Sequence, residues 1–294
     1  MVRTSGFCVW WRVGGEMCKR VYKNYSVLMS VYAKENPEYL RQSMQSIYDQ
    51  TVPTDDFVLI CDGPLTSELN AVIARMQKKF GKRLRVFRRK KNCGLGVALS
   101  FGVQKCKKEL IVRMDSDDVS RKDRCEKQLE IFNKLDVDVV GSNVVEYDEK
   151  MKNISGIKKV PENNEEILSY AKRRNPINHM AVAFRKSRAL ACGNYLDMPG
   201  FEDYYLWVRM LRNGDKFYNI QENLVNARGG ESMIERRGGA KYFSRIHKFE
   251  KELKNIGFIS NANYYTNMFI RVVVSAIPAR MRKLFYDEVL RKRR

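Results

Sequence analysis

Leu110-Ile111-Val112-Arg113-Met114-Asp115-Ser116-Asp117-Asp118 is the stretch on which the fold turns. Its first half is a short apolar run of the kind that forms a buried strand. It passes without a spacer into three carboxylates and a serine, so the negative charge sits at a strand end that solvent and ligand can reach. Crowded carboxylates are costly unless a cation lies among them, and oxygen-only ligands suit Mg²⁺ or Mn²⁺. Such an ion bridges to the diphosphate of a nucleotide and neutralises a leaving group. A turn with a helix N-cap also draws Asp and Ser, but a cap takes one such residue and this loop has four in a row.

Upstream, apolar runs alternate with helical patterns. Tyr25 to Val31 reads as a buried strand, and after Pro37 the residues Leu40, Met44 and Ile47 recur at helical spacing. Phe57 to Cys61 is a second strand, followed by a helix through Leu69, Val72, Ile73 and Met76; Leu84 to Phe87 is a third, with a helix opening near Gly94. This alternation predicts an α/β fold with a mixed, mainly parallel central sheet flanked by helices, Rossmann-like, whose ligands gather beyond the carboxyl ends of the strands. The loops there hold Tyr32 to Asn36, Asp62-Gly63-Pro64, Lys91 to Gly94 and the acidic run. Downstream, Val137 to Val145, Ile157 to Val160 and Ala181 to Phe184 read as strands, and Tyr204 to Leu211 as a helix that Gly214 ends. With no linker or repeat, the second half is predicted to continue the same sheet and complete one cleft.

The chain has 294 residues, 44% hydrophobic and 30% charged, enough for a substantial core. A net charge of +21 calls for an anionic partner: nucleic acid, an acidic membrane or phosphate-bearing substrates. No nucleic-acid-binding module is recognisable, and an acidic strand-end cluster is a poor surface for a polyanion, so nucleic acid is not expected. Seven scattered cysteines without a CxxC pair fit a reducing cytosol. The longest apolar candidate, Met268 to Ile277, contains Arg271 and falls short of the about 20 residues that span a bilayer, which predicts a soluble or peripheral protein. Residues 1–24 lack a signal-peptide pattern and are expected to be an unstructured extension, with Met17 an alternative start. The segment 241–294 reads as a basic amphipathic helical tail: after Ile270 it carries eight Lys/Arg and two acids among Val272, Val273, Val274, Ile277, Leu284 and Phe285. That composition suits helices lying on an anionic membrane surface; the alternative is a terminal helix packed on the domain with its basic face in water.

Further candidates lie elsewhere on the same predicted edge. Asp62-Gly63-Pro64 sets a turn that points a carboxylate into the rim. Asn92-Cys93-Gly94-Leu95-Gly96 places glycines at a helix start, suited to an approaching phosphate or ribose. Glu202-Asp203 opens a helix, where acids stabilise the helix dipole or serve as a general base. Glu235-Arg236-Arg237-Gly238-Gly239 reads either as a clamp for a diphosphate or as a solvated charge run. His179, one of only two histidines, reads as structural.

Taken in order, Ser26 to Tyr32, Asp62-Gly63-Pro64, Asn92 to Leu99, Arg113 to Asp118 and Phe201 to Trp207 resemble family 2 glycosyltransferases of the GT-A fold, over about Tyr25 to Gly239. The likeness extends, through Arg173 to His179, to the branch that builds bacterial exopolysaccharide, capsule and lipopolysaccharide, amylovoran-type enzymes included. The resemblance implies an inverting transfer of a hexose-type sugar from a nucleotide-sugar donor, a UDP-sugar, to a saccharide acceptor that is lipid-linked. It implies a peripheral position on the inner face of the plasma membrane. It assigns 25–240 to the GT-A domain, with 25–118 binding the nucleotide and 119–240 the acceptor. Ser30, Val31, Tyr32, Asp62, Asn92, Gly94, Leu95, Arg113, Asp115 and Ser116 would surround the nucleotide sugar, with Asp62 on the base and Asp115 near the ribose. Asp117, with Asp115, would hold Mn²⁺ or Mg²⁺. Asp203 would be the catalytic base with Glu202 beside it, and Arg236 and Arg237 would assist the diphosphate. The chain departs from many members in lacking a QxxRW motif, which favours single addition over polymerisation. A sugar nucleotidyltransferase shares the fold class, but Ser30 to Pro37 lacks its Gly-rich basic loop.

Overall fold

The computed structural model describes residues 22–229 and 240–276. Its centre is a nine-stranded sheet. β1 (Ser26–Val31), β2 (Asp56–Cys61), β3 (Leu84–Arg88) and β4 (Leu110–Met114) pair in parallel, and α1 (Pro37–Tyr48), α2 (Ser67–Phe80) and α3 (Leu95–Lys105) connect them in turn. The strands alternate between two cores, as a period of two requires. Val27, Met29, Val31, Phe57 and Leu59 face a core that α1 and α2 close with Leu40, Met44, Ile47, Leu69 and Ile73. Leu28, Val58 and Ile60 face the opposite core, closed by Ala98, Leu99 and Val103 of α3. Local chemistry starts α1 where it does: Asn36 caps it by accepting from the Glu38 amide at 2.8 Å, and Pro37 occupies the first turn, where a missing N–H costs nothing.

Beyond the acidic loop the chain forms β5 (Val119–Ser120), α4 (Arg124–Lys134), β6 (Val139–Tyr147), β7 (Ile154–Lys158), α5 (Asn164–Tyr170), β8 (Ala183–Arg185), α6 (Lys186–Ala191), α7 (Glu202–Arg212) and β9 (Phe217–Arg228). Strand order across the sheet is β3-β2-β1-β4-β8-β6-β9-β5, with β7 pairing β6 at the side. β8 runs antiparallel to both β4 and β6, while β9 runs parallel to β6, so the second half does continue the sheet and makes it mixed. The apolar run from Ala181 begins inside a 3-10 turn (His179–Ala181) before β8 forms.

Two helices follow, α8 (Ala240–Asn255) and α9 (Asn261–Ala276). Ile246, Phe249 and Leu253 of α8 enter the same core as Trp207, and the Phe249 ring stacks on Phe201 with centroids 4.5 Å apart. α8, which lies in the segment expected to be a tail, therefore packs on α7. Glu250 is fully buried, and its carboxylate takes Arg271 at 2.9 Å and Asn267 at 3.0 Å from α9. A buried charge requires such partners, and these fix α9 against α8. Among the described residues no helix is long and apolar enough to cross a membrane.

Candidate active site

The parallel register aligns Val31 with Cys61 and Met29 with Met114, so Tyr32, Asp62 and Asp115 leave the sheet on one edge. Carboxylate oxygens of Asp115, Asp117 and Asp118 lie within 4.8 Å of one another. Burial, then the charges of Asp115 and Glu35, push the Asp117 carboxyl up to about 7. Asp118 is held well above the usual carboxylate range by burial and then by Asp117 and Asp115. Three crowded oxygen donors, with the ionisation of Asp117 and Asp118 opposed by burial and by their neighbours, fit a hard divalent cation, which removes the conflict.

The loop that carries these acids is fixed from several directions. Arg113, only 1% exposed, forms a two-point ion pair with Asp115, and its Nε has no hydrogen-bond partner among the described residues. The Ser116 hydroxyl donates to Glu35, and Ser43 Oγ donates to the Asp115 carbonyl at 2.6 Å. Arg228, at the end of β9, gives its backbone amide to Asp118 Oδ1 at 2.7 Å and its Nε to the Asp117 carbonyl at 2.9 Å. The remaining guanidinium nitrogens of Arg228 reach the Glu149 carbonyl at 2.6 Å and Gln42 Oε1 at 2.9 Å. Below the strand, buried Arg124 donates to the Arg113 carbonyl at 2.7 Å.

Asp62 is buried and serves the neighbouring loop. Its carboxylate accepts the Gly94 amide at 2.9 Å and the Cys93 amide at 3.2 Å, with Arg89 at 3.4 Å. Gly63 has φ +92 and lies so close to the Asn92 backbone that an added Cβ would sit 2.7 Å from its nitrogen. Asn92, Gly94 and Leu95 are therefore held at the exposed start of α3, where Gly94 has φ +91 and, among the described residues, no side chain caps the helix. Ser30 is half-buried, Val31 buried and Tyr32 exposed along the same rim.

Glu202 and Asp203 begin α7 on the far side of this loop. A Cβ on Gly96 would stand 2.8 Å from Glu202 Cγ, so the glycine is what lets α3 approach the acid. The Asn175 amide donates to Asp203 Oδ2 at 2.6 Å. Burial raises the Asp203 carboxyl above its ordinary value, and the Tyr204 amide, Asn175 and Arg113 oppose that rise. Glu202 is raised too, by burial and by Asp203. Arg113 thus acts on both Asp115 and Asp203, and Tyr195 feels Arg113, Asp203, Asp115 and Glu202 together, which places the two acidic groups in one electrostatic neighbourhood. His179 Nε2 lies 3.0 Å from the Tyr195 hydroxyl, and burial holds its pKa well below the ordinary range, so it is neutral and packs against Trp207. Arg236 and Arg237 lie outside the described residues.

Glu35, Arg124, Asn175 and Arg228 are among the residues with structural roles here that the sequence does not mark as candidates. Asn175 lies within a motif that the sequence singles out, and Glu35 in a rim loop. Nothing local marks Arg124 or Arg228.

The profile of glycosyl transferase family 2 matches residues 26–191, which span the acidic loop and end before α7. The chain is 39% identical over 269 residues to the UDP-Gal:alpha-D-GlcNAc-diphosphoundecaprenol beta-1,3-galactosyltransferase of Escherichia coli, covering 91% of this chain and 97% of that protein. It is 34% identical over 268 residues to the amylovoran biosynthesis glycosyltransferase AmsE of Erwinia amylovora, covering 90% and 98%. Among solved structures, S. aureus TarS superimposes with a TM-score of 0.62 at 15% identity, covering 92% of this chain and 76% of that one. The mannosyltransferase PcManGT of Pyrobaculum calidifontis, solved with GDP-Man and Mn²⁺, gives 0.62 at 13% identity, covering 90% and 74%. Those two likenesses concern the fold, which is GT-A. Together with the profile match and the relatives that align over nearly their whole length, they make this chain a glycosyltransferase that belongs to glycosyl transferase family 2.

Proposed function

We propose that the chain transfers galactose, or a closely related hexose, from its UDP-sugar to a GlcNAc-diphosphate-lipid acceptor in the synthesis of a bacterial surface polysaccharide. The observation that carries the proposal is two acidic groups on which buried Arg113 acts together: the Asp115-Asp117-Asp118 cluster at the end of β4, and Asp203 held by Asn175 at 2.6 Å. The similarity over nearly the whole of the galactosyltransferase supports the donor and acceptor.

In this reading the nucleotide half is 25–118 and the acceptor half 119–240. Ser30 to Tyr32 and the loop that Asp62 anchors border the base and ribose. The exposed start of α3 offers backbone amides to a phosphate. Asp117, with Asp115, would hold Mn²⁺ or Mg²⁺, which supplies positive charge to the departing diphosphate. Asp115 is released to that task to the extent that its pairing with Arg113 yields. Asp203 takes the proton from the acceptor hydroxyl; the oxygen bonds to the anomeric carbon as the bond to the diphosphate breaks, and UDP leaves with the electron pair. Attack opposite the leaving group inverts the anomeric centre. Burial favours this role, because a carboxyl raised above its ordinary value is a stronger base at neutral pH. Arg236 and Arg237, outside the described residues, would assist the diphosphate.

The exposed face of α9 supports a peripheral position on an anionic membrane. Tyr265, Phe269 and Ile270 are 66%, 70% and 51% exposed, and the segment that follows is rich in Lys and Arg. That pairing of apolar surface with positive charge suits the lipid interface.

The test is transfer from UDP-Gal, UDP-Glc, UDP-GlcNAc and GDP-Man to a synthetic GlcNAc-α-diphosphate-alkyl acceptor, with Mn²⁺ and with EDTA. The expected product is a metal-dependent β-linked disaccharide from UDP-Gal. Product from GDP-Man alone, or with retained configuration, would overturn the proposal.

A further inference from the structure

Next to Asn175 in the chain stand cations that the chemistry above leaves unused. Lys172, Arg173 and Arg174 are consecutive and exposed just after α5, and among the described residues none of their side chains has a carboxylate partner. Their backbone is ordered: the Arg173 and Arg174 amides both donate to the Tyr170 carbonyl at 3.0 Å. A solvated charge run is the ordinary fate of such residues. Their two flanks argue otherwise.

On one flank, the next residue is Asn175, whose amide holds Asp203 at 2.6 Å. On the other, the Lys172 carbonyl accepts from Asn267 Nδ2 of α9 at 2.9 Å, the helix that exposes Tyr265, Phe269 and Ile270. Arg271 of α9 also lies 5.9 Å over the Phe201 ring, one residue before Glu202, so α9 borders the start of α7. The structure therefore sets out base, cations and apolar face in that order. A lipid-linked acceptor has the matching order of hydroxyl-bearing sugar, diphosphate and hydrocarbon.

We propose that Lys172, Arg173 and Arg174 bind the diphosphate of the acceptor, with its hydrocarbon leaving over the exposed face of α9. The inference rests on the acceptor reading of the preceding subsection. Guanidinium groups match phosphate oxygens in two-point contacts, and a lysine adds a mobile point charge. Lys158 on β7, which also acts on Asp203, adds positive potential from the neighbouring strand. Recognition of the diphosphate at this place fixes the sugar one ring away, so that its hydroxyl, not its phosphate, meets the base.

The test uses the full chain and three acceptors with the same alkyl group: GlcNAc-α-diphosphate-alkyl, the monophosphate and the neutral glycoside. For R173A/R174A, KM for the diphosphate acceptor should rise roughly tenfold to a hundredfold. The preference in kcat/KM for diphosphate over neutral acceptor should fall toward one, while KM for UDP-Gal holds. R173K/R174K should recover part of the preference, since charge returns without the fork. A variant that keeps the wild-type preference overturns the site. So does a variant whose donor KM rises with the acceptor KM, which reports general damage. If the wild-type enzyme itself does not discriminate between diphosphate and neutral acceptors, the acceptor reading fails and the site falls with it.

Discussion

Arg228 and Asp118 are joined backbone amide to carboxylate at 2.7 Å across 110 positions of sequence. The Arg228 side chain then closes on the Asp117 carbonyl, Glu149 and Gln42, with its guanidinium 3.7 Å over the Tyr39 ring. The last strand of the sheet thus holds the loop that the first half of the chain supplies. Arg228→Ala leaves the amide contact but removes the fork, and should cost about 2–4 kcal/mol of stability. Mn²⁺-dependent UDP binding, read by calorimetry, should weaken at least about tenfold. Arg228→Lys should repair little of this, because an ammonium cannot serve three divergent acceptors in one plane. Unchanged metal-dependent binding in both variants would show that the loop keeps its shape unaided.

Asp203→Asn should lower transfer by roughly a hundred- to ten-thousandfold, the range for loss of a general base. UDP binding should be retained, since the proposed role of the residue is on the acceptor.

The pH dependence has a definite sign. Asp203 must be ionised to accept a proton, and burial raises its pKa, so kcat/KM should fall on the acid side at a higher pH than an ordinary aspartate would set. The Asn175 hydrogen bond favours the ionised form. Asn175→Ala should therefore move that acid limb to still higher pH. A variant that is slower at every pH, with the limb in place, would mean Asn175 only packs.

The acidic loop links stability to pH in the opposite sense from an ordinary salt-bridged acid. Asp117 has its folded pKa raised from 3.8 to about 7, so between those values the folded state binds more protons than the unfolded one. The contribution of this group is favourable at low pH and is lost as pH rises through about 7. In metal-free protein, Asp117→Asn should raise Tm at pH 8 more than at pH 5. Mn²⁺ should stabilise the native chain at pH 8 and the variant far less; equal stabilisation of both would place the ion elsewhere.

Replacing Phe269 and Ile270 with Ser should reduce recovery on anionic vesicles by at least about tenfold, given roughly 1.5–3 kcal/mol for each buried side chain. Transfer to a short soluble acceptor should change little by comparison. Equal vesicle recovery for native and variant chains would count against the membrane proposal for this face.

The parts of the fold that show in the sequence are those whose determinants are contiguous. β1, β2 and β4 are short apolar runs because both their faces are buried, and the acidic loop occupies four adjacent positions. β9 is the opposite case. Its Asn219, Gln221, Glu222 and Asn223 do not read as a strand, yet Asn219 is fully buried because its amide reaches the carbonyls of Pro161 and Pro176. Those partners are distant in sequence, so no local pattern announces them. Asp203 was legible as a candidate from its helix start, whereas its holder, Asn175, is 28 positions away. The basic, amphipathic character of the last segment was equally plain; that Glu250 lies at its buried centre, tied to Arg271 and Asn267, was not.

β5 is two residues long, and it has a place in the sheet because Val119 and Ser120 pair with Asn226 and Val225 of β9. The border proposed between nucleotide and acceptor halves, just after Asp118, is therefore a seam sewn from both sides, and it offers no cutting point. A chimaera joined just after Asp118 would take its nucleotide loop from one parent and the strand that shapes it from another. Change of substrate in such a chain is more readily made by substitution in place than by exchange of cassettes, and a library built by shuffling at this seam should yield mostly unfolded or metal-blind products.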